Sequence, residues 1–219
     1  MKIKTGTLIA LISLIYFFIY RAVGTLWPSF FRNPNVAGGA VFLALLASLG
    51  WLLFFTSFLP IAERENLKSF RRATEWAIFG SACVCFLYFR ESLLVFGIDF
   101  LREIIFSARM EKLVVYFPFL GSVFMLIFTI FLIRYKTIVL GPQSQKAVNW
   151  ALWGAAASFL LRLAVVLNFL LNKQDKWMSD LNGISLYIGS LLVIVSFVGW
   201  GYFLWHLFNE KKRRSPEIA

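Results

Sequence analysis

Six apolar stretches set the limits on this chain, near residues 6–24, 37–59, 73–95, 113–133, 147–171 and 184–208. A hydrocarbon layer about 30 Å thick is crossed by roughly 20 helical residues, and each stretch reaches that length. Inside lipid every backbone N–H and C=O must find a partner within its own element, and the alternating apolar–polar pattern of a membrane barrel is absent. The stretches are therefore expected as helices. Composition agrees, since 60% of the 219 residues are hydrophobic and only 15% charged, more apolar surface than one soluble core hides. The connections are too short to hold a soluble domain. The chain reads as an all-α polytopic membrane protein with six transmembrane helices, a single integral membrane domain over 1–219.

The first stretch has a second reading. Met1 to Lys4 is basic, Thr7 to Tyr20 is apolar, and Ala22-Val23-Gly24 has the small residues of a signal cleavage site. Arg21 abuts that site, and Tyr16, Phe17, Phe18 and Tyr20 crowd the apolar run, so a retained anchor is expected. Orientation follows the basic residues. With the N-terminus inside, the inner pieces carry Lys2, Lys4, Arg64, Lys68, Arg71, Arg72, Arg134, Lys136, Lys146, Lys211, Lys212, Arg213 and Arg214. The outer pieces carry fewer: Arg21, Arg32, Arg90, Arg102, Arg109, Lys112, Lys173 and Lys176. Both termini are expected in the cytoplasm, in a plasma or inner membrane. The net charge of +11 is thus first a topology signal. Its scatter over short loops argues against nucleic acid as a partner. The Lys211–Arg214 run could also attract anionic head groups.

One segment is written twice. Arg71 to Ala82 reads RRATEWAIFGSA, and 74 residues on, Gln145 to Ala156 reads QKAVNWALWGAA. Ala73, Trp76, Ala77, Gly80 and Ala82 recur as Ala147, Trp150, Ala151, Gly154 and Ala156. This implies an internal repeat of parallel helical hairpins, spans two–three and four–five. Ala73, Ala77 and Ser81, like Ala147, Ala151 and Ala155, recur every four residues and so line one helix face, with Gly80 and Gly154 beside them. Small faces let backbones approach closely in lipid. The third and fifth spans are expected to pack on each other, or on equivalent small faces. The tryptophans Trp76, Trp150, Trp153, Trp200 and Trp205 fall near inner ends and Trp27 and Trp177 near outer ends, as an interfacial belt requires. Trp51 lies deeper and reads as packing.

Arg162 is the one unambiguous charge within a span. A charge near the bilayer centre costs at least about 2.5–3.5 kcal/mol, so it should face the interior with a partner. The offset sets it level with Tyr88, with Glu91 one turn outward, and a Glu91–Arg162 ion pair is geometrically reasonable. Arg90 joins these as a candidate substrate-binding residue, with an anion anchor as the functional reading and a structural ion pair as the bland one. Residues 98–110 have the pattern of a short amphipathic helix on the outer surface. Glu75, within reach of Arg71 or Arg72, is more readily a helix-terminus ion pair than a proton site. Cys83 and Cys85 fall on different helix faces, and His206 is the only histidine, so no metal site, disulfide framework or cofactor is signalled. No catalytic motif is present either. The reading that leads is a non-enzymatic membrane protein binding or translocating a small solute or lipid. An accessory subunit of a larger membrane complex or a homo-oligomer comes second, and an intramembrane lipid-modifying enzyme third. The first and third call for a polar cavity reaching Arg162. The second calls for an Arg162 paired and sealed.

Overall fold

A computed structural model of the protein describes residues 3–95, 108–171 and 182–213. Among the described residues there is no strand; the helices are α1 (Ile3–Leu26), α2 (Pro34–Thr56), α3 (Leu59–Arg64), α4 (Lys68–Val95), α5 (Ala108–Val139), α6 (Gln145–Leu171) and α7 (Asn182–Arg213). Short 3-10 turns, Pro28–Arg32 and Pro142–Ser144, join α1 to α2 and α5 to α6. The protein is an all-α polytopic membrane protein. Among the described residues, five segments are long and apolar enough to cross a bilayer: Ile3–Gly24, Val36–Arg64, Tyr116–Val139, Gln145–Leu167 and Tyr187–Asn209. The expected third span, in α4, is equally long but less apolar, because Arg71, Arg72 and Glu75 load one end and Arg90 and Glu91 the other. The expected amphipathic helix at 98–110 lies almost entirely outside the described residues.

The six long helices stand as staves of a closed ring, each packed on the next in chain order and α7 packed back on α1. The Lys4 ammonium lies 5.4 Å from the centre of the Phe208 ring, so the N-terminus of α1 and the C-terminus of α7 share one end of the bundle, here called the terminal end. On α1 the periodicity is plain. Ile3, Thr7, Ala10 and Leu14 are buried, while Leu8, Ile12, Ile15 and Ile19 are exposed. Helical spacing thus divides an almost wholly apolar helix into a face for protein and a face for lipid.

The terminal half of the ring is filled. Phe54, Phe55, Phe58, Phe70, Phe128 and Phe203 are fully buried, and Phe128 is the hub, with ring centres 4.9 Å from Phe55, 5.4 Å from Phe58 and 5.6 Å from Phe70. Ala77, Ala147, Ala151 and Ala155 belong to this core, and Ala73 is buried too. At the end of α2 the helix does not run to residue 59 as expected but breaks after Thr56, and after two turn residues α3 continues the chain and packs against α4. Asn66 then reverses it with φ 51°, where the Asn66 N–H donates to the Glu63 carbonyl and the Leu67 N–H to the Ala62 carbonyl. That pair of bonds is a Schellman helix end, and asparagine tolerates the left-handed conformation it needs.

The third and fifth spans do not pack on each other. They are α4 and α6, and α5 stands between them. Their glycines meet the helix that follows each in the chain. A Cβ on Gly80 would lie 3.0 Å from the Gly121 Cα on α5, and one on Gly154 would lie 3.0 Å from the Trp200 backbone nitrogen on α7. From the other side, a Cβ on Gly199 would lie only 2.5 Å from the Trp150 carbonyl oxygen and 2.7 Å from the Gly154 nitrogen. Small residues specify a close crossing and not the identity of the partner. The interfacial belt also needs a correction. Trp76, Trp150, Trp153 and Trp205 are exposed around the terminal end and Trp27 at the other, but Trp200 is 1% exposed and packs on Trp51 at 5.2 Å.

Candidate functional site

Above the phenylalanine plug, in the half of the bundle away from the termini, the ring encloses a cavity of about 210 Å³ to which all six long helices contribute. Its floor includes Trp51. Its wall is mostly apolar, with Leu14, Phe17, Phe18, Val84, Leu161, Val193 and Phe197 among the residues that form it. Set into this wall are Arg21 from α1, Tyr88 from α4 and Arg162 from α6, together with Ser48, Ser81, Ser122, Ser158 and Ser196. Among the described residues, no aspartate or glutamate lines it.

The helix faces explain the selection. On α6 the spacing that buries Ala147, Ala151 and Ala155 continues through Ser158 to Arg162, so the guanidinium projects inward at the level where small side chains give way to space. Arg162 lies within electrostatic range of Arg21 and Tyr88. Among the described residues no carboxylate comes within ion-pair distance of it. Ser158 and Ser196 hydrogen-bond across the α6–α7 seam at 2.6 Å. Ser48 and Ser122 satisfy their hydroxyl protons on the Leu45 and Phe119 carbonyls of their own helices, which leaves their oxygens as acceptors only. Phe17 packs against Tyr88 with ring centres 5.7 Å apart, fixing the phenol from the α1 side.

Of the four candidate residues, the structure brings together Arg162 and Tyr88. Arg90 and Glu91 do not line the cavity. The Glu91 carboxylate is taken by its neighbour instead, with Arg90 Nη1 to Glu91 Oε1 at 3.3 Å, so the expected Glu91–Arg162 ion pair does not form. Arg90 is buried against the bundle, with its side chain 7% exposed and that of Glu91 39%. Glu75 pairs with Arg71 at 2.9 Å on an exposed face, and Arg71 also reaches Glu63 at 3.6 Å. The Glu75 hydrogen bond, then the Glu63 charge, holds the Arg71 guanidinium above its ordinary pKa. Cys83 and Cys85 are free thiols, and no cluster of His, Cys, Asp or Glu among the described residues is arranged to hold a metal ion.

Arg21 is the cavity residue that sequence reasoning passed over, because it ends an apolar run and reads as an interfacial charge. A signal was present. Thr7, Ala10, Leu14, Phe17 and Arg21 follow one another at spacings of three and four, which places Arg21 on the inward face of α1. Compared with protein-family models, curated proteins and solved structures, the chain matches none. What the fold defines is a class: a helical membrane protein with an interior cavity furnished with arginine.

Proposed function

We propose that this protein binds, and by translocating it serves to transport, a small anionic solute or lipid held in the cavity by Arg162. The observation that carries this reading is Arg162 itself, a guanidinium inside a membrane bundle that faces a cavity and has no carboxylate within ion-pair distance among the described residues. A cation in low dielectric is unfavourable until it is paired, and an anion with hydrogen-bond acceptors supplies the missing partner. Tyr88 adds a hydroxyl donor and Arg21 a second positive charge at the same site. A purely scaffolding role calls for Arg162 to be paired and sealed, and the cavity weighs against it.

The doubled segment fits a transport architecture. Inward small-residue faces on α4 and α6 are what a parallel hairpin repeat around a midplane site provides. By the charge bias, the terminal end and both termini face the cytoplasm of a plasma or inner membrane and the cavity lies in the outer half. The test uses the purified full chain in non-ionic detergent, titrated with inorganic phosphate and with acetate while thermal unfolding is followed. A ligand at a hundredfold excess over its Kd stabilises by about 2.7 kcal/mol. Stabilisation of the native chain that disappears in Arg162→Gln, with the variant unfolding normally in the absence of anion, is the expected result. Equal responses from the two proteins would refute the reading.

A further inference from the structure

The ring has five seams between helices that follow one another in the chain and one, α1 against α7, that no connection spans. This seam is the thinnest of the six. At the level of the cavity it is closed by two side chains that are themselves part of the cavity wall: Phe18 of α1 and Phe197 of α7 stack with ring centres 4.2 Å apart and planes 28° from parallel. On the lipid side of the seam, Ile15 and Ile19 of α1 and Leu191 and Ile194 of α7 are exposed. Among the described residues, this pair of rings is the aromatic contact that bridges α1 and α7 beside the cavity.

The charge distribution inside points the same way. Phe18 is one turn before Arg21 on α1, so the seam lies one turn from the charged groups. The groups able to hold an anion, Arg162 and Tyr88 with Arg21 beside them, stand toward one end of the cavity, and the wall near the seam is mostly hydrocarbon, Leu14, Phe17 and Val193, with the Ser196 hydroxyl turned to Ser158. A small inorganic anion would use the first feature and leave the second bare. A ligand with an anionic head and an apolar chain uses both, and its chain can pass between α1 and α7 into lipid. Resting on the anion-binding reading above, we infer that the cavity takes the anionic head of a single-chain amphiphile admitted from the bilayer through the α1–α7 seam, with Phe18 and Phe197 as the gate.

A series with a constant head and a varied tail tests this. The full chain in nanodiscs of zwitterionic lipid is titrated with inorganic phosphate, butyl phosphate and dodecyl phosphate, with dodecanol as the tail-matched neutral control, and thermal unfolding is read. Each methylene buried in an apolar wall is worth about fourfold in affinity, so two already give more than about tenfold. The expected order is dodecyl, then butyl, then inorganic phosphate, with no response to dodecanol and no response of Arg162→Gln to any of them. In a Cys83→Ala, Cys85→Ala background, Phe18→Cys and Phe197→Cys bridged by a short bis-maleimide should block the dodecyl ester and leave inorganic phosphate binding in place. Phe197→Ala, if the bridged variant does not fold, should accelerate dodecyl phosphate exchange. Equal potency across the series overturns the amphiphile and leaves the anion site standing. A dodecyl response that survives in Arg162→Gln overturns the amphiphile as well, being partition into lipid alone. Silence from every phosphate overturns both readings.

Discussion

The α6–α7 crossing is set by backbone contact, and this can be tested with two alanine substitutions on the same helix. Gly199 and Gly189 both lie on α7, ten residues apart. At Gly189 a Cβ would meet only the Leu161 Cδ1 at 3.8 Å, an ordinary contact. At Gly199 it would sit 2.5 Å from the Trp150 carbonyl oxygen, with the Gly154 nitrogen and Cα at 2.7 and 2.8 Å, all of them backbone. Restoring ordinary contact at 3.4 Å requires the helices to part by about 0.9 Å, and overpacking of this kind costs roughly 1–3 kcal/mol. Alanine for glycine within a helix returns up to about 1 kcal/mol at both positions. Gly189→Ala should therefore be neutral or slightly stabilising and Gly199→Ala destabilising, the two differing by about 2 kcal/mol. The displacement would also stretch the 2.6 Å Ser158–Ser196 bond to the limit of hydrogen bonding. The assay is the unfolding free energy of each variant in mixed micelles or bicelles, read by steric trapping. If Gly199→Ala unfolds like Gly189→Ala, close glycine packing does not hold this seam and the argument fails.

Other substitutions examine separate parts of the structure. Phe128→Ala removes the hub of the buried ring cluster and should cost about 3–5 kcal/mol, the range for Phe→Ala in packed cores, measured by the same unfolding assay. Ser196→Ala deletes one cross-helix hydrogen bond, and a loss near 0.6 kcal/mol is expected, typical of such bonds in membrane bundles. Asn66→Gly should leave stability nearly unchanged while Asn66→Val loses about 1–2 kcal/mol, since only the latter strains a left-handed φ. The Arg71–Glu75 pair is exposed, and because the folded-state pKa of Arg71 is raised, the guanidinium side of the pair stays charged at every pH below that already high value. The variable that acts on it near neutral pH is salt, so Glu75→Gln should unfold slightly below the native chain at low ionic strength and alike at high ionic strength.

The spans were legible because lipid imposes one requirement, length and apolarity, that hydropathy reads directly. Their ends were less so: the break after Thr56 goes with the packing of α3 on α4, a tertiary matter. The inward face of α6 could be read as far as Arg162, since small residues at a spacing of four mark a face without ambiguity. Which helix that face meets could not, because Gly80 and Gly154 would accept any close partner, and ring order decided for α5 and α7. Tyr88 and Arg162 were found together because the doubled segment carries register across 74 residues. The expected Glu91–Arg162 pair did not form because register says nothing about competition, and Arg90, the neighbour of Glu91 in sequence, holds the carboxylate. Trp200 was taken for a belt residue on its position near a helix end, whereas its ring is buried in the core against Trp51.

The open seam between α1 and α7 bears on how such a protein is made. Every other seam joins helices that emerge one after the other, so five can form as hairpins or near neighbours while the chain is still being inserted. The sixth joins residues such as Phe18 and Phe197, 179 positions apart, and cannot close until α7 has entered the bilayer. Contacts of such sequence separation are the slowest to form. Until then the inward side of α6, Arg162 included, has lipid or water where α7 will stand. The step that creates the cavity therefore waits for α7, and Arg162 gains its full surroundings only when that helix closes the ring.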